Sequence, residues 1–226
     1  MDTECTVEPG RLVDGDGGRE GCSCFYRALL TAAKNAGLMS DVARLLGISP
    51  DAAADDPDAI AGLRASVPGL LPGIFNLDAM KEMWINLRTE YNTCTETYKV
   101  LLSQLPHKLA EQYLTDPPSS SAGLLEDMSS CVSDLECYAG ALEVQGILDL
   151  LKAKGVPVHL IVTDNCRDPK LAKGALKHHP GKITLVKTLI RVRGELCEHY
   201  MWVGPRKRTC CSEAMEAPRR RTRSTK

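Results

Sequence analysis

Aromatic residues are scarce in this chain. Two Phe, two Trp and six Tyr make up 4% of 226 residues, so Leu, Val, Ile and Ala must fill the core. There is no apolar run long enough to span a bilayer, and Met1 does not open a signal-peptide pattern. The ten cysteines fall below disulfide-scaffold density. Without a secretory signal they are expected to stay reduced, in a cytoplasmic setting. They are spaced irregularly and include no C-x-x-C pair, which leaves zinc with little support. Neither a metal nor a cofactor is expected. Internal repeats and long low-complexity segments are absent too.

The hydrophobic fraction, 43%, is that of a globular protein. Formal net charge is −1 but unevenly spread. From Arg206 to Lys226 eight basic residues face only Glu213 and Glu216, a local charge of +6 that leaves −7 on the rest. The expected organisation is one domain over residues 1–205 and a basic tail or linker over 206–226. The runs Arg206-Lys207-Arg208 and Arg219-Arg220-Arg221 can bind phosphate by counterion release, so the tail is a candidate nucleic-acid or acidic-lipid contact. Such runs are more often solvated ends or targeting signals, and no aromatic is interleaved to stack on bases.

Periodicity gives a helix-rich first half and a strand-bearing second half. Leu29, Ala32, Ala33 and Ala36 share one helix face, which predicts a helix from Cys24 stopped by Gly37. Ser40 is expected to cap a short helix ending at Gly47, and Asp58 one over residues 59–65, with a break from Pro68 to Gly73. Amphipathic helix is expected over 77–87 and again between Tyr98 and Tyr113, interrupted at Pro106. Residues 117–121 read as a surface loop, and Leu142 to Leu151 as a helix ended by Gly155. Val156–Val162 reads as a buried strand, Ile183–Val192 and Glu195–Val203 as two more, and Met1–Gly21 as extended or loop. Helices first and strands later predict an α+β fold around a small sheet flanked by helices.

The chemistry centres on Gly21-Cys22-Ser23-Cys24-Phe25-Tyr26-Arg27-Ala28-Leu29. A glycine-rich, acidic loop runs into it and a helix runs out, so Cys24 belongs at a helix N-terminus. Unpaired N–H groups and the positive end of the helix dipole there favour thiolate. An arbitrary cysteine at such a junction is usually an inert core residue. The second feature is His199, in Cys197-Glu198-His199-Tyr200-Met201-Trp202-Val203. A cysteine early and a histidine late suit a thiol–imidazole pair, in which the base takes the thiol proton and returns it to a leaving amine. His107, His159, His178 and His179 are weaker candidates: His159 reads as a core or edge residue, and the His178-His179 pair as solvated.

Three blocks resemble one family. Cys24-Phe25-Tyr26-Arg27-Ala28-Leu29 resembles the nucleophile segment of the ovarian-tumour (OTU) cysteine proteases, D-G-x-C-[LF]-[FY]-R-A. The segment Tyr138-Ala139-Gly140-Ala141-Leu142-Glu143-Val144-Gln145-Gly146-Ile147 is similar to their W-G-G-x-x-E-L-x-A-L block, and His199-Tyr200-x-x-Val203 to their H-Y-x-x-V block. The resemblance implies a papain-like α+β fold and hydrolysis of isopeptide bonds of ubiquitin or ubiquitin-like conjugates, with Cys24 as nucleophile and His199 as general base. In a viral or bacterial protein the setting would be the host cytoplasm.

The departures are specific. Where the family has Asp-Gly before the cysteine, this chain has Gly21 and Cys22, although Asp14-Gly15 and Asp16-Gly17 occur upstream. That loop, with Gly21 and Ser23, is expected to supply oxyanion-binding N–H groups. The family's imidazole-orienting Asp or Asn, two residues after the His, is Met201 here, a poor acceptor. Asp14, Asp16, Asp164 and Asn165 are candidates to replace it. Three functions stay open on these residues: an active thiol isopeptidase, a ubiquitin-binding module with a weakened site, and an interaction protein working through its basic tail.

Overall fold

Two left-handed glycines end the first two helices. The computed structural model describes residues 11–14, 23–52, 56–93, 96–163, 178–192 and 195–205. Helix α1 (Cys24–Ala36) stops at Gly37, φ 73°, where Leu38 N–H returns to Ala33 O at 2.9 Å. Helix α2 (Met39–Leu46) stops at Gly47, φ 69°, with Ile48 N–H to Ala43 O at 3.0 Å. A side chain at either position would have to enter the left-handed region, where glycine carries no Cβ penalty. The expected cap at Ser40 is not formed: α2 begins two residues earlier than expected, with Leu38 at the cap position and no side-chain hydrogen bond.

Helix α3 (Pro57–Leu70) is capped by Asp56, which accepts from Asp58 N–H at 2.9 Å, with Pro57 in the first turn. The sequence expectation placed the cap two residues late and ended the helix too soon. Pro68 falls in the last turn, where its missing N–H removes one bond without ending the helix. Then follow α4 (Leu77–Thr93), α5 (Glu96–Leu102), α6 (His107–Thr115), α7 (Ser121–Ser133) and α8 (Ala141–Ala153). The interruption before Pro106 is present. Helix α7 was not anticipated; its start is fixed by Ser120 Oγ, which accepts from Gly123 N–H at 3.0 Å.

The strands are β1 (Arg11–Asp14), β2 (Val158–Val162), β3 (Ile183–Val192) and β4 (Glu195–Gly204). They form a mixed sheet in the order β1-β4-β3-β2. Only β2–β3 is parallel; the other two pairings are antiparallel. The chain is therefore α+β, as its sequence predicts. β1 adds a strand to a stretch expected to be extended or loop. β2 is an edge rather than a fully buried strand: Val158 is buried, whereas His159 is exposed and Val162 is 67% exposed.

Two apolar clusters divide the interior. One joins α1, α2, α3 and α8 to a face of the sheet through Leu29, Leu63, Leu148, Leu185, Tyr200 and Trp202. The other fills the helical region α4 to α7 with Met80, Leu87, Leu102, Leu109, Tyr113 and Leu124. Ile74 and Phe75 pack against both. Gly146 makes room for that junction, since a Cβ there would come within 2.6 Å of Ile74 Cδ1 and 2.8 Å of Leu71 Cδ1. Cys131 and Cys137 form a disulfide at the end of α7, contrary to the expectation of reduced thiols throughout. So short a loop gains about 2 kcal/mol from the bridge on the chain-entropy model.

Candidate functional site

Cys24 is the first residue of α1 and is 2% exposed. Ser23 occupies the cap position, but its side chain makes no capping bond, and the first turn holds no acidic residue. The first intrahelical bond runs from Arg27 N–H to Ser23 O at 3.1 Å. The positive end of this helix is therefore not neutralised by a capping side chain.

His199 lies in β4, 6% exposed. It pairs in register with Thr188 of β3. Alternation splits β4 between two faces. Tyr200 and Trp202 enter the cluster that contains α1. Met201 and Val203 lie on the opposite face, with Val186 and Ile161, and His199 shares their parity. The described β1–β4 ladder ends at Asp14↔Met201, so His199 lies just past it, along a stretch of β4 that β1 does not cover among the described residues. The Cys24 segment meets the His199 segment through its neighbours. The Phe25 ring packs edge-on against the Tyr200 ring, with centroids 5.2 Å apart.

The third block joins at the same turn of α1. Tyr26 hydroxyl donates to Glu143 Oε1, and Gly140 N–H donates to Glu143 Oε2 at 3.2 Å. Tyr26, Glu143 and Arg64 are all fully buried. The Arg64 guanidinium lies 5.5 Å from the Tyr26 ring centre. It donates to Val132 O at 2.7 Å, Cys137 O at 2.7 Å and Cys131 O at 3.3 Å. Burial holds the Tyr26 hydroxyl well above its usual range, with the Glu143 charge adding to it, so Tyr26 remains a donor. Burial likewise raises the Glu143 carboxyl, against the pull of Tyr26, Arg64 and the Gly140 N–H. This cation–ring–carboxylate stack was not legible beforehand. In the sequence Glu143 stands only as a motif position, and Arg64 is not singled out.

Of the other expected site residues, Ser23 is buried at the N-terminus of α1. Asp14 ends β1 opposite Met201. Asp16, Gly21, Asp164 and Asn165 lie outside the described residues, as does the basic tail. His179 and His159 are exposed as isolated surface residues. His178 is not simply solvated: it is half-buried, with Nδ1 3.2 Å from Val203 O. A cavity of about 290 Å³ lies on the helical side, lined by Ile74, Met80, Met83, Leu101 and Leu142 and not by Cys24 or His199. Among the described residues no cluster of His, Cys, Asp or Glu could hold a metal ion, and no helix is long and apolar enough to cross a membrane. The chain matches no family model, no curated protein and no solved structure in comparisons with each.

Proposed function

We propose that this protein is a thiol isopeptidase of the OTU type, acting on conjugates of ubiquitin or a ubiquitin-like protein. One observation carries the proposal. Three sequence blocks, the first more than a hundred residues before the other two, meet at the first turn of α1: Phe25 packs on Tyr200, next to His199 in sequence, and Tyr26 bonds Glu143, 117 residues away. A core alone does not require a cysteine and a histidine at the two ends of that convergence. In this role Cys24 thiolate attacks the isopeptide carbonyl, and the first-turn N–H groups stabilise the oxyanion. His199 protonates the leaving lysine amine and then activates water to release the acyl group.

The test is labelling by ubiquitin carrying a C-terminal electrophile. Wild type should form a covalent adduct at Cys24, and Cys24→Ser should form none, because a hydroxyl is not ionised near neutral pH. An unlabelled wild type that still binds ubiquitin would instead support the weakened binding module. Met201 favours that second reading. It packs with Val186 and Val203 at the position where the resemblance calls for an orienting carboxylate or amide.

A further inference from the structure

Residues 131–137 run from the last turn of α7 toward α8 and are closed by the Cys131–Cys137 disulfide. The two cysteines are six positions apart. Chain entropy rewards long loops, so a bridge this short is poorly placed as a staple for the whole fold. Its surroundings give it another role. The carbonyls of both bridged residues, and of Val132, face one cation. Arg64 donates to Cys137 O at 2.7 Å, to Val132 O at 2.7 Å and to Cys131 O at 3.3 Å. The same guanidinium lies 5.5 Å from the centre of the Tyr26 ring, and the Tyr26 hydroxyl bonds Glu143. Glu143 in turn accepts the N–H of Gly140, just past the bridge. The contacts run from the disulfide through Arg64 to the first turn of α1.

The two ends of the bridged turn are held unequally. Cys131 and Val132 belong to α7, and Asp134 N–H closes that helix on Ser130 O at 3.1 Å. Cys137 lies past the helix. Its N–H bonds Asp134 O at 3.0 Å, and Asp134 pairs with Lys108 at the surface, where ion pairs are worth little. The disulfide is the covalent tie on Cys137, whose carbonyl takes the 2.7 Å bond from Arg64. Cys137 is 0% exposed and Cys131 is 7% exposed, so the sulfur that a reductant reaches is that of Cys131.

We propose that the Cys131–Cys137 bridge is a redox switch on the first turn of α1, the turn that carries Cys24. Oxidised, it holds Cys137 O on Arg64 and so keeps Arg64 against Tyr26. Reduced, it frees residues 135–137 and loosens that turn. The reductant is a dithiol. Its thiolate attacks Cys131 Sγ, the S–S bond breaks, and Cys137 leaves as a thiolate that takes up a proton. The second thiol of the reductant loses its proton and displaces Cys131 from the mixed disulfide, and Cys131 is protonated in turn. Two electrons and two protons pass to the protein, and the reductant closes as a cyclic disulfide. The inference stands whether or not Cys24 is a nucleophile.

The test is backbone hydrogen exchange on the full chain, oxidised and then reduced with dithiothreitol, with mass mapping of alkylated thiols to follow the bridge. Reduction should speed exchange in the first turn of α1 and over residues 140–143 by about tenfold beyond any rise shared by β3, the size expected when one charge-assisted hydrogen bond is lost. Reoxidation should reverse it. Cys131→Ala/Cys137→Ala should match the reduced protein and ignore dithiothreitol, which separates this bridge from the other cysteines of the chain. Arg64→Lys keeps the charge without the fork; it should exchange fast at α1 even when oxidised and gain little on reduction. Equal rises throughout, or a reduced chain that unfolds altogether, would show an ordinary staple and overturn the proposal. So would an oxidised protein in which Cys131 and Cys137 both alkylate, a double-alanine variant that still responds to dithiothreitol at α1, or an Arg64→Lys protein that responds as wild type does.

Discussion

Arg64 is the most exacting element of the interior, and removing it is the sharpest test of how the site is held. Arg64→Met keeps the aliphatic stem and deletes the guanidinium. The carbonyls of Val132 and Cys137 then lose this donor, while that of Cys131 keeps the Asp134 N–H at 3.2 Å. A buried acceptor left unsatisfied costs about 1–3 kcal/mol. Independently, Glu143 loses the cation that balances it, and breaking one side of a buried charge pair costs about 3–5 kcal/mol. The two losses fall on different groups, and the lower end of each together gives an expected loss of at least about 4 kcal/mol. Set against a typical domain stability of about 5–15 kcal/mol, that is a large fraction. Urea unfolding reads it as a lower midpoint at constant slope. Arg64→Lys keeps the charge without the planar fork and should lose about half as much. The Arg64→Met/Glu143→Gln double variant should lose less than the two single losses combined, because Glu143 no longer needs a partner. An Arg64→Met protein within about 1 kcal/mol of wild type would refute the reasoning and show that the stack is incidental.

Gly140→Ala would place a Cβ 2.7 Å from Pro106 N and 2.8 Å from Leu105 C, both backbone atoms that cannot rotate away; thermal melting should show a loss of about 1–3 kcal/mol. Gly62→Ala, inside α3 with nothing within 4 Å of the new methyl, should instead stabilise by about 0.5–1 kcal/mol. The pH dependence of melting should have two separable limbs. Glu143 has its folded pKa raised, chiefly by burial, above the ordinary 4.5, so its contribution is full below that value and is lost as pH rises through the raised one; Glu143→Gln should flatten that limb. Asp134 is held below its ordinary 3.8 by the Glu136 N–H and then by Lys108, so its contribution is lost as pH falls through the lowered value; Asp134→Asn should flatten the acid limb.

What the sequence made legible depended on how local the determining interaction is. Gly37 and Gly47 end their helices through their own backbone angles, and both stops could be read directly. The cap of α3 was misplaced because Asp56 and Asp58 are both good capping residues two positions apart, and the choice rests on Pro57 accepting the first helical position. Helix α7 was not anticipated beyond the loop expected over residues 117–121. Its apolar residues Leu124, Met128 and Cys131 become a helix face only once α3 and α4 lie against them. β1 could not be found from four residues alone, since it is defined by its pairing with residues 201–204 of β4.

The site shows the same division more sharply. Cys24 was identifiable because loop-to-helix junctions leave a local signature, and His199 because it falls in a strand-type run. What supports them is set by register, which no periodicity encodes. A search along the chain for an acceptor near His199 stops at Met201, two residues on and on the same strand face. The sheet instead brings up neighbours from other strands: Thr188 stands across from His199 and Asp14 across from Met201. The anchor of the first turn of α1 follows the same rule. Tyr26 and Glu143 are 117 residues apart, and Arg64 reaches backbone carbonyls 67 to 73 residues away. Residues that do the chemistry can announce themselves locally, by where they sit on a helix or strand. Residues that hold them in place are chosen by the fold, through register and packing, and not by spacing along the sequence.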